Sequence, residues 1–319
     1  MISDSTVTDF SEFIQVACDN CGSNQSKILF TGPDRLCGLP GTFTLVQCCE
    51  CGWIRQNPRP SDRDIWKYYP KDYVAFVSAV DDEKRLWNRL DRQYGLIKRR
   101  KSIERFVSHG RILEIGCGTG VFLAEMRRCG WSTIGLEPNA YASEYARTKL
   151  GLDVFCTTLE QFELPYESFD VVYLSNVLEH LARPAQAIRR IRHTLKKGGL
   201  LVMSIPNLES LDRKLFGESW IGWELPRHLY LFPRQSLENL FKQLDMQIIT
   251  RDCPAGSHYA FLLSLQLYLQ DRTNLSRCTI RKSIEVLRQL PIRLCASPVF
   301  WLLDKLQLSA ILTYYVRKN

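Results

Sequence analysis

The stretch ILEIGCGTG, residues 112–120, most constrains the fold of this chain, because an apolar run passes directly into closely spaced glycines. A strand that turns through glycines into a helix brings bare backbone, and the N–H groups of the helix N-terminus, close to a ligand. A dinucleotide is the first ligand to weigh, and its fingerprint is G-x-G-x-x-G. Here the glycines are Gly116, Gly118 and Gly120, and Val121 stands at the last fingerprint position.

Two carboxylates indicate the charge of the ligand. Glu114 lies two residues before the first glycine, where it would repel a pyrophosphate and attract a cationic centre. Glu137 lies 17 residues after Gly120, at the end of the next predicted strand. A carboxylate at that place can accept hydrogen bonds from both ribose hydroxyls. The pattern therefore predicts a nucleoside with a positive centre, a description that fits S-adenosylmethionine (SAM).

Short apolar runs alternate with helical patterns from 111 to 251, as is typical of a doubly wound α/β sheet. The predicted strands are RILEIG, STIGLEP, DVFCTT, FDVVYLSN and LLVMSIP, in chain order. The run PAQAIRRIRHTLKKGG is predicted to be a helix, with Pro184 near its start and glycines after it. We expect a helical insertion at about 255–308, which precedes a last strand in AILTYYVRKN.

Composition and length indicate an ordinary globular protein of about two domains. Apolar residues make up 45% of the chain and charged residues 24%. The N-terminus has no basic region followed by an apolar core, and no window reaches the roughly 18 apolar residues of a membrane span. The sequence therefore predicts a cytoplasmic protein. We divide it into a zinc-ribbon-like module (1–60), a basic helical linker or lid (61–110) and a SAM-binding domain (111–319).

Two C-x-x-C-G knuckles, CDNCG and CCECG, lie close to the N-terminus. Thiolate pairs at this spacing fold back on one tetrahedral Zn²⁺, and the glycine permits the tight turn around the metal. The predicted ligands are Cys18, Cys21, Cys48 and Cys51. A site with four protein ligands has no open position, so we expect the zinc to be structural. The alternative is a set of reduced, unpaired cysteines.

Taken together, ILEIGCGTG, GLEPN, ESFDVVYLSNVLEHL and LKKGGLLVMSIPN resemble the consecutive motifs of the class I SAM-dependent methyltransferases. The resemblance covers roughly 105–250 and implies an α/β fold with a seven-stranded sheet of order 3-2-1-4-5-7-6, the seventh strand antiparallel. It also implies site roles. The glycine turn and its neighbours would hold the methionine end of SAM, Glu137 the ribose, and Thr158 and Leu159 the adenine. The implied cofactor-binding residues are Glu114, Gly116, Cys117, Gly118, Gly120, Glu137, Thr158, Leu159 and Asn176.

The knuckles, the following NPRPSDRDIWKYYPKDY and the later GESWIGWELPRHLYLF resemble a subfamily of bacterial methyltransferases. Many members act in pathways for surface glycans and secondary metabolites. The resemblance implies a small-molecule, sugar or lipid-linked glycan acceptor. Acceptors vary within such groups, so this step is an analogy at the level of the family.

Methyl transfer to a hydroxyl needs an aligned acceptor and a group that removes its proton. In an open α/β sheet the site lies beyond the carboxyl ends of the strands, where SNVLEHL follows the fourth predicted strand. Glu179 and His180 are therefore candidate base or metal groups, and His228 in LPRHLY is a candidate base. For each of them a purely structural role is the alternative.

A metal-dependent reaction is a second possibility for this cluster. In ubiquinone O-methyltransferases and small-RNA 3′-end methyltransferases, a Glu-x-x-Glu-His run binds a divalent cation. This sequence resembles that run but has Asn176 in place of the first Glu. Because Mg²⁺ prefers oxygen ligands, the lost carboxylate favours a metal-independent base.

The end of the chain is basic, with 10 Lys and Arg against 4 Asp and Glu from 251 to 319, which is +6 of the total +8. It also holds two apolar stretches that are too short to span a bilayer. One hypothesis is a basic amphipathic insertion that lies on the inner, anionic membrane surface and meets a lipid-linked acceptor. The alternative is a helical cap packed over the active site.

The first functional hypothesis is a SAM-dependent O-methyltransferase with a His general base. An RNA methyltransferase that grips phosphates with the zinc module is an alternative, although SNVLEH replaces the Asn-Pro-Pro-Tyr-like motif of exocyclic-nitrogen methylases. A sugar C-methyltransferase and a non-enzymatic zinc scaffold complete the alternatives. Nucleic acid is the less favoured partner, because the net charge is modest.

Overall fold

The computed structural model describes residues 12–70, 86–253 and 257–319. Its strands and helices are numbered separately, in chain order. The strands are β1 (Phe13–Ile14), β2 (Ser26–Gly32), β3 (Phe43–Cys48), β4 (Ile54–Gln56), β5 (Arg59–Pro60), β6 (Arg111–Ile115), β7 (Ser132–Leu136), β8 (Val154–Phe155), β9 (Phe169–Ser175), β10 (Leu195–Pro206), β11 (Tyr230–Leu231), β12 (Met246–Asp252) and β13 (Ile311–Lys318). The helices are α1 (Leu86–Glu104), α2 (Val121–Arg128), α3 (Ala140–Thr148), α4 (Pro184–Thr194), α5 (Leu211–Phe216), α6 (Arg234–Gln243), α7 (Ser257–Arg272), α8 (Arg277–Leu287) and α9 (Leu290–Lys305).

The larger sheet has seven strands in the order β12-β13-β10-β9-β6-β7-β8. The strands from β6 to β10 run parallel, whereas β13 runs antiparallel between β10 and β12. When the seven strands of this sheet are renumbered 1 to 7 in chain order, their order across the sheet is 3-2-1-4-5-7-6. The predicted fold class is therefore confirmed. Because parallel strands end at one edge of a sheet, the segments after β6, β7 and β9 meet there.

The central strands are mostly apolar on both faces, which is why they read as nearly continuous apolar runs rather than as alternating ones. Successive residues point to opposite faces. Leu113 and Val172 join one buried core, and their neighbours Ile112 and Val171 join the other. The sheet is therefore covered on both sides, and only its edges and strand ends are free to form a site.

The N-terminal module folds into a smaller antiparallel sheet of order β11-β4-β3-β2. Three of its strands come from the first 60 residues, but β11 comes from far along the chain and pairs with β4 through Tyr230–Arg55 and Leu231–Ile54. In the predicted linker or lid, one turn of 3₁₀ helix covers Ile65–Tyr68 and α1 begins at Leu86. Residues 71–85 of that segment lie outside the described residues.

Two local predictions needed adjustment. The helix predicted through Lys197 ends at Thr194, because Leu195 already pairs with Phe169 of β9. The predicted third strand, DVFCTT, is shorter in the structure and covers Val154–Phe155 at the edge of the sheet. The segment SNVLEHL, after the fourth strand, contains a single 3₁₀ turn, Leu178–His180.

The predicted helical insertion is formed by α7, α8 and α9, which precede β13. Within the described residues no single helix is long and apolar enough to cross a membrane. The pair Arg277–Leu287 and Pro291–Lys305 meets the length and composition criteria only when it is joined across a 76° bend.

Candidate active site and metal centre

The turn after β6 is held against the neighbouring strand by two backbone hydrogen bonds. Gly116 and Cys117 both donate their N–H groups to the carbonyl oxygen of Leu136, at 2.8 and 3.1 Å. Gly116 has a φ of 68°, and a Cβ there would lie 2.5 Å from Val177 Cγ2. Any larger residue would therefore be strained and would clash, so the glycine is required by both the backbone and the close approach.

Glu137 follows β7 and fixes the same turn. Its Oε2 accepts the N–H of Gly118 and its Oε1 accepts the N–H of Asn139, both at 2.8 Å. Burial raises the pKa of this carboxyl, and the two backbone donors act in the opposite direction. Each oxygen keeps a lone pair for a further donor, which suits a sugar hydroxyl.

Glu114 lies on β6, beneath the turn rather than on the cavity wall. Burial raises the pKa of its carboxyl well above the usual 4.5, although the Arg99 guanidinium opposes that rise. Its Oε2 has no hydrogen-bond partner among the described residues. A buried carboxyl oxygen without a partner is costly, which makes Glu114 a candidate for electrostatic interaction with a cationic ligand above the turn.

A single cavity of about 1220 Å³ joins most of the predicted site residues. Its wall is mostly apolar and is formed by the sheet edge, the N-terminal module, the segment before β11 and α7. Of the predicted cofactor residues, Glu114, Cys117 and Gly120 are not part of this wall as the described residues form it. Those that line it are Gly116, Gly118, Glu137, Thr158, Leu159 and Asn176, together with all three predicted catalytic residues.

His228 has a fixed ring orientation in this cavity. Its Nδ1 lies 2.8 Å from the carbonyl oxygen of Gly222. Because a carbonyl oxygen only accepts, we assign the ring hydrogen to Nδ1, which leaves Nε2 as an acceptor. Nε2 lies 3.6 Å from Glu224 Oε2 and 4.0 Å from Glu179 Oε1. Burial lowers the pKa of His228, so the ring is neutral near pH 7.

His180 packs against His228 edge to face, with ring centroids 4.7 Å apart. Its Nδ1 lies 3.0 Å from the carbonyl oxygen of Arg227 and 2.9 Å from the Tyr69 hydroxyl. By the same argument Nδ1 carries the hydrogen and Nε2 is an acceptor. Burial, helped by His228, lowers the pKa of His180 to about 3.

Glu179 is the third member of the cluster, and it is fully buried. Neither of its carboxyl oxygens has a hydrogen-bond partner among the described residues. Burial raises its pKa to about 8. One ligand atom each from Glu179, His180 and His228 all lie within 4.8 Å of one another, so the three could hold a metal ion or pass a proton.

Four further residues of the site were missed by the sequence analysis: Tyr69, Glu224, Arg227 and Asp34. Arg227 is fully buried and forms a two-pronged ion pair with Asp34 of the N-terminal module, at 3.0 and 2.7 Å. Its Nε donates to Glu224 Oε1 at 2.9 Å. The charged residues in the motif WELPRH were the only sequence feature that could have indicated Glu224 and Arg227. Their partners were not predictable, because Asp34 lies 193 positions away.

The predicted zinc ligands form one cluster. Cys18 and Cys51, and likewise Cys21 and Cys48, have Sγ atoms 3.5 Å apart. Four sulfurs about 2.3 Å from one Zn²⁺ would be about 3.8 Å apart, so the spacing suits that ion. The hydrogen bond between Cys18 and Cys51 lowers the pKa of Cys51 and raises the pKa of Cys18, so the close thiols share a proton that a bound metal would displace.

The two knuckles have the same backbone geometry. Gly22 donates to the carbonyl oxygen of Cys18 at 2.7 Å, and Gly52 donates to that of Cys48 at 3.1 Å. Both glycines have positive φ, 76° and 78°. The neighbouring Cys49 is exposed and lies outside the cluster, so Cys48 is the member of the CC pair that joins it.

The sheet order and the glycine turn define the class I SAM-dependent methyltransferase fold. The chain belongs to that family: a family model described as "Methyltransferase domain" matches residues 86–251. A Galdieria sulphuraria structure assigned as a methyltransferase has the same fold, with a TM-score of 0.50 and 12% identity over 80% of this chain and 96% of that one.

Two curated relatives named "Ubiquinone biosynthesis O-methyltransferase" share about a third of their residues with the central part of the chain. The Bradyrhizobium sp. protein is 34% identical over 126 residues, which is 37% of this chain and 49% of that protein. The Cereibacter sphaeroides protein is 35% identical over 124 residues, which is 37% of this chain and 50% of that protein. The chain thus spans about half the length of the curated relatives it matches.

Proposed function

We propose that this protein transfers the methyl group of SAM to a hydroxyl of a small-molecule, sugar or lipid-linked glycan acceptor. Membership of the methyltransferase family supports the reaction type. The names of the relatives support an oxygen acceptor. A mostly apolar cavity of about 1220 Å³ offers space for an acceptor beside a nucleoside.

The residues at the sheet edge fit SAM. Glu137 would hold the ribose hydroxyls through its remaining lone pairs, with Thr158 and Leu159 beside the adenine. Gly116 and Gly118, with Cys117 and Gly120 completing the turn, would admit the methionine end, and Asn176 would close the site after β9. SAM supplies an electrophilic methyl group on a cationic sulfur.

Glu114 would act through charge from beneath the turn. A cation nearby favours the ionised form of a carboxyl and lowers its pKa, which would offset the present cost of burial. This accounts for the unpartnered Oε2 of a strand residue that packing alone does not explain.

The observation that carries the mechanism is the aligned ring of His228. Because Nδ1 donates to Gly222, Nε2 is held as an acceptor on the cavity wall. His228 would take the proton of the acceptor hydroxyl, and Glu224, at 3.6 Å, would stabilise the imidazolium that forms. His180 and Glu179 would orient the ring and the acceptor.

Substitution of His228 tests this mechanism. H228N keeps a donor near the position of Nδ1 and removes the acceptor at Nε2, so we expect kcat to fall about 10²–10⁴-fold, the usual contribution of a general base. The dissociation constant of SAM, measured by calorimetry, should not change. H193N on the exposed face of α4 is the matched control. Unchanged kcat in H228N would contradict the assignment.

The acceptor can be identified with SAM that carries a radiolabelled methyl group. The protein is incubated with separated RNA, lipid, nucleotide-sugar and small-metabolite fractions. Label in a small-metabolite, lipid or sugar fraction supports the proposal, and the bond type separates O- from C-methylation. Label in RNA would contradict the proposal and assign the zinc module to nucleic acid. SAM binding without any transfer would favour the non-enzymatic scaffold.

A metal-dependent mechanism is the second candidate, and one observation favours it. Both histidines donate Nδ1 hydrogens to backbone carbonyls, the arrangement that orients metal-binding imidazoles. Glu179 would add a carboxylate, while Asn176 leaves the oxygen set short for Mg²⁺. Turnover that is lost in chelator and restored by Mg²⁺ or Mn²⁺, with the zinc content unchanged, would replace the general-base mechanism with this one.

A further inference from the structure

The helix α9 exposes large apolar side chains to solvent. No residue of this 16-residue helix is fully buried among those whose side chains are described. Its large apolar side chains are instead exposed: Leu294 is 62% exposed, Val299 59%, Trp301 61% and Leu302 51%. A soluble helix ordinarily turns such residues inward.

These exposed side chains share one face of the helix. At 100° per residue, positions 294, 299, 301, 302 and 306 fall within one half of the helix circumference. The other side holds the helix to the protein. Phe300 packs against His258 and Phe261 of α7, with ring centroids 5.1 and 5.7 Å apart, and Arg293 pairs with Asp91 of α1 at 2.7 Å.

The apolar face, defined here as Leu294, Val299, Trp301, Leu302 and Leu306, lies in a basic part of the chain. The Lys305 Nζ lies 5.9 Å from the centre of the Trp301 ring. On the preceding helix α8, Arg277, Arg281 and Lys282 are exposed. Apolar residues with a tryptophan and flanking Lys or Arg are typical of helices that lie in the interface of an anionic bilayer.

The position of the apolar face relates it to the cavity. α9 packs on α7, and α7 lines the cavity through Tyr259, Ala260 and Leu263. A surface bound through α9 would therefore meet the same helical insertion that forms one wall of the site. An acceptor anchored in that surface would have a short route to the cavity.

We propose that the apolar face of α9 and the cations of α8 form a docking surface for an anionic lipid bilayer. Charge complementarity selects this occupant over a second copy of the chain. A symmetric dimer apposes the same patch of both subunits, so it would bring like charges together. The role in delivering a lipid-linked acceptor rests on the proposed function, whereas the binding itself does not.

Vesicle flotation tests the binding without SAM or acceptor. The full-length protein is mixed with vesicles of phosphatidylglycerol and phosphatidylcholine, or of phosphatidylcholine alone, and separated on a density gradient. We expect the protein to float with the anionic vesicles at low salt and to be released in part at about 1 M salt, because exposed charges are then screened. A protein that stays at the bottom with both vesicles would overturn the proposal.

Matched variants locate the surface. W301S/L302S should reduce the fraction that floats at least about tenfold, and R281E/K282E should do so for anionic vesicles. The controls are Y141S, whose side chain is 67% exposed on α3, and K149E/K242E, which remove exposed cations elsewhere. Equal flotation of W301S/L302S and the wild type would contradict the proposal, as would a wild-type dimer that W301S/L302S converts to a monomer.

SAM affinity separates this proposal from the proposed function. The docking variants lie outside the cavity wall, so they should keep the wild-type dissociation constant for SAM. Flotation without methyl transfer would leave the docking surface standing and remove the proposed reaction. Methyl transfer without flotation would support the proposed reaction and overturn the docking surface.

Discussion

At the scale of single residues, the buried ion pair of Arg227 and Asp34 has a large desolvation cost. Both side chains are completely inaccessible, and Arg227 also donates to the backbone carbonyl of Tyr68 at 3.0 Å. The pair joins the N-terminal module to the segment that carries His228. Removing one partner of a buried pair leaves an uncompensated charge, which is why such pairs are intolerant of substitution.

We therefore predict that D34N is strongly destabilising. The free energy of unfolding should fall by about 3–5 kcal/mol, the usual cost of breaking a buried pair from one side. Urea denaturation would measure it. D252N removes one partner of an exposed pair, Arg105–Asp252, and should cost at most about 1 kcal/mol. Similar losses in the two variants would show that the buried pair carries no special weight.

Asp212 gives the stability a pH dependence. It is buried on α5, its Oδ2 lacks a hydrogen-bond partner among the described residues, and burial raises its pKa to about 7 from 3.8. The folded state therefore holds a proton between pH 3.8 and about 7 that the unfolded chain has lost. By linkage, the free energy of unfolding falls as the pH rises through this window.

Replacing Asp212 with Asn should remove that dependence. We expect D212N to be more stable than the wild type at pH 8 by about 1–3 kcal/mol, with a smaller gain at pH 5. Urea denaturation at both pH values gives the two differences. The control is D245N, which removes a carboxylate whose side chain is 67% exposed. A gain from D212N that is the same at both pH values would contradict the linkage.

The sequence predicted the residues of the site that belong to local motifs. Glu137 and His180 each follow a predicted strand, and strand ends converge in this fold. His228 was found through its motif, although its contact with His180 depends on a long connection. Tyr69 and Glu224 were missed, because their contacts to the histidines arise only when distant segments pack together.

At the scale of elements, the turn from β6 to α2 depends on backbone that is free of side chains. We predict that G116A lowers the affinity for SAM at least about tenfold and lowers stability by about 1–3 kcal/mol, because φ is positive and the new Cβ would meet Val177. Calorimetric titration with SAM and urea denaturation measure the two effects. G130A is the control, since it has a similar φ of 89° but no neighbouring atom within 4 Å.

The G116A and G130A pair separates strain from steric conflict. Both variants should lose stability, because both glycines have positive φ. Only G116A should lose SAM affinity, because Gly116 lines the cavity. Equal SAM affinity in G116A and the wild type would remove the glycine turn from the proposed cofactor site.

Elements with strong local signals were predictable, and those decided by pairing were not. The central strands β6, β7 and β9 carry short, mostly apolar runs that contain few polar residues, so their positions were clear. β11 has only two residues, Tyr230 and Leu231, and its pairing with β4 was invisible in the sequence. The early start of β10 has the same cause, because Leu195 pairs with Phe169 rather than extending the helix.

At the scale of the whole molecule, the predicted zinc module is structurally continuous with the candidate active site. The chain runs from His228 directly into β11, which completes the smaller sheet beside β4. That sheet contains Cys48 at the end of β3, and the module also supplies Asp34 to Arg227. The cysteine cluster, the smaller sheet and the segment that carries His228 are thus linked through contacts that no single motif reveals.

We predict that loss of the proposed zinc lowers methyl transfer more than SAM binding. C21S/C51S should release the metal, lower the melting temperature and reduce kcat/KM for the acceptor at least about tenfold, because zinc binding is coupled to folding of the module. The dissociation constant of SAM should change less than about threefold, since the glycine turn belongs to the other sheet. C49S changes an exposed cysteine beside the cluster. It is the matched control and should retain zinc, stability and turnover.

The outcome is decided by zinc content from elemental analysis together with SAM calorimetry on the same samples. Wild-type turnover in a metal-free C21S/C51S protein would show that the module does not support the catalytic segment, and equal loss of SAM affinity would show that it supports the entire fold.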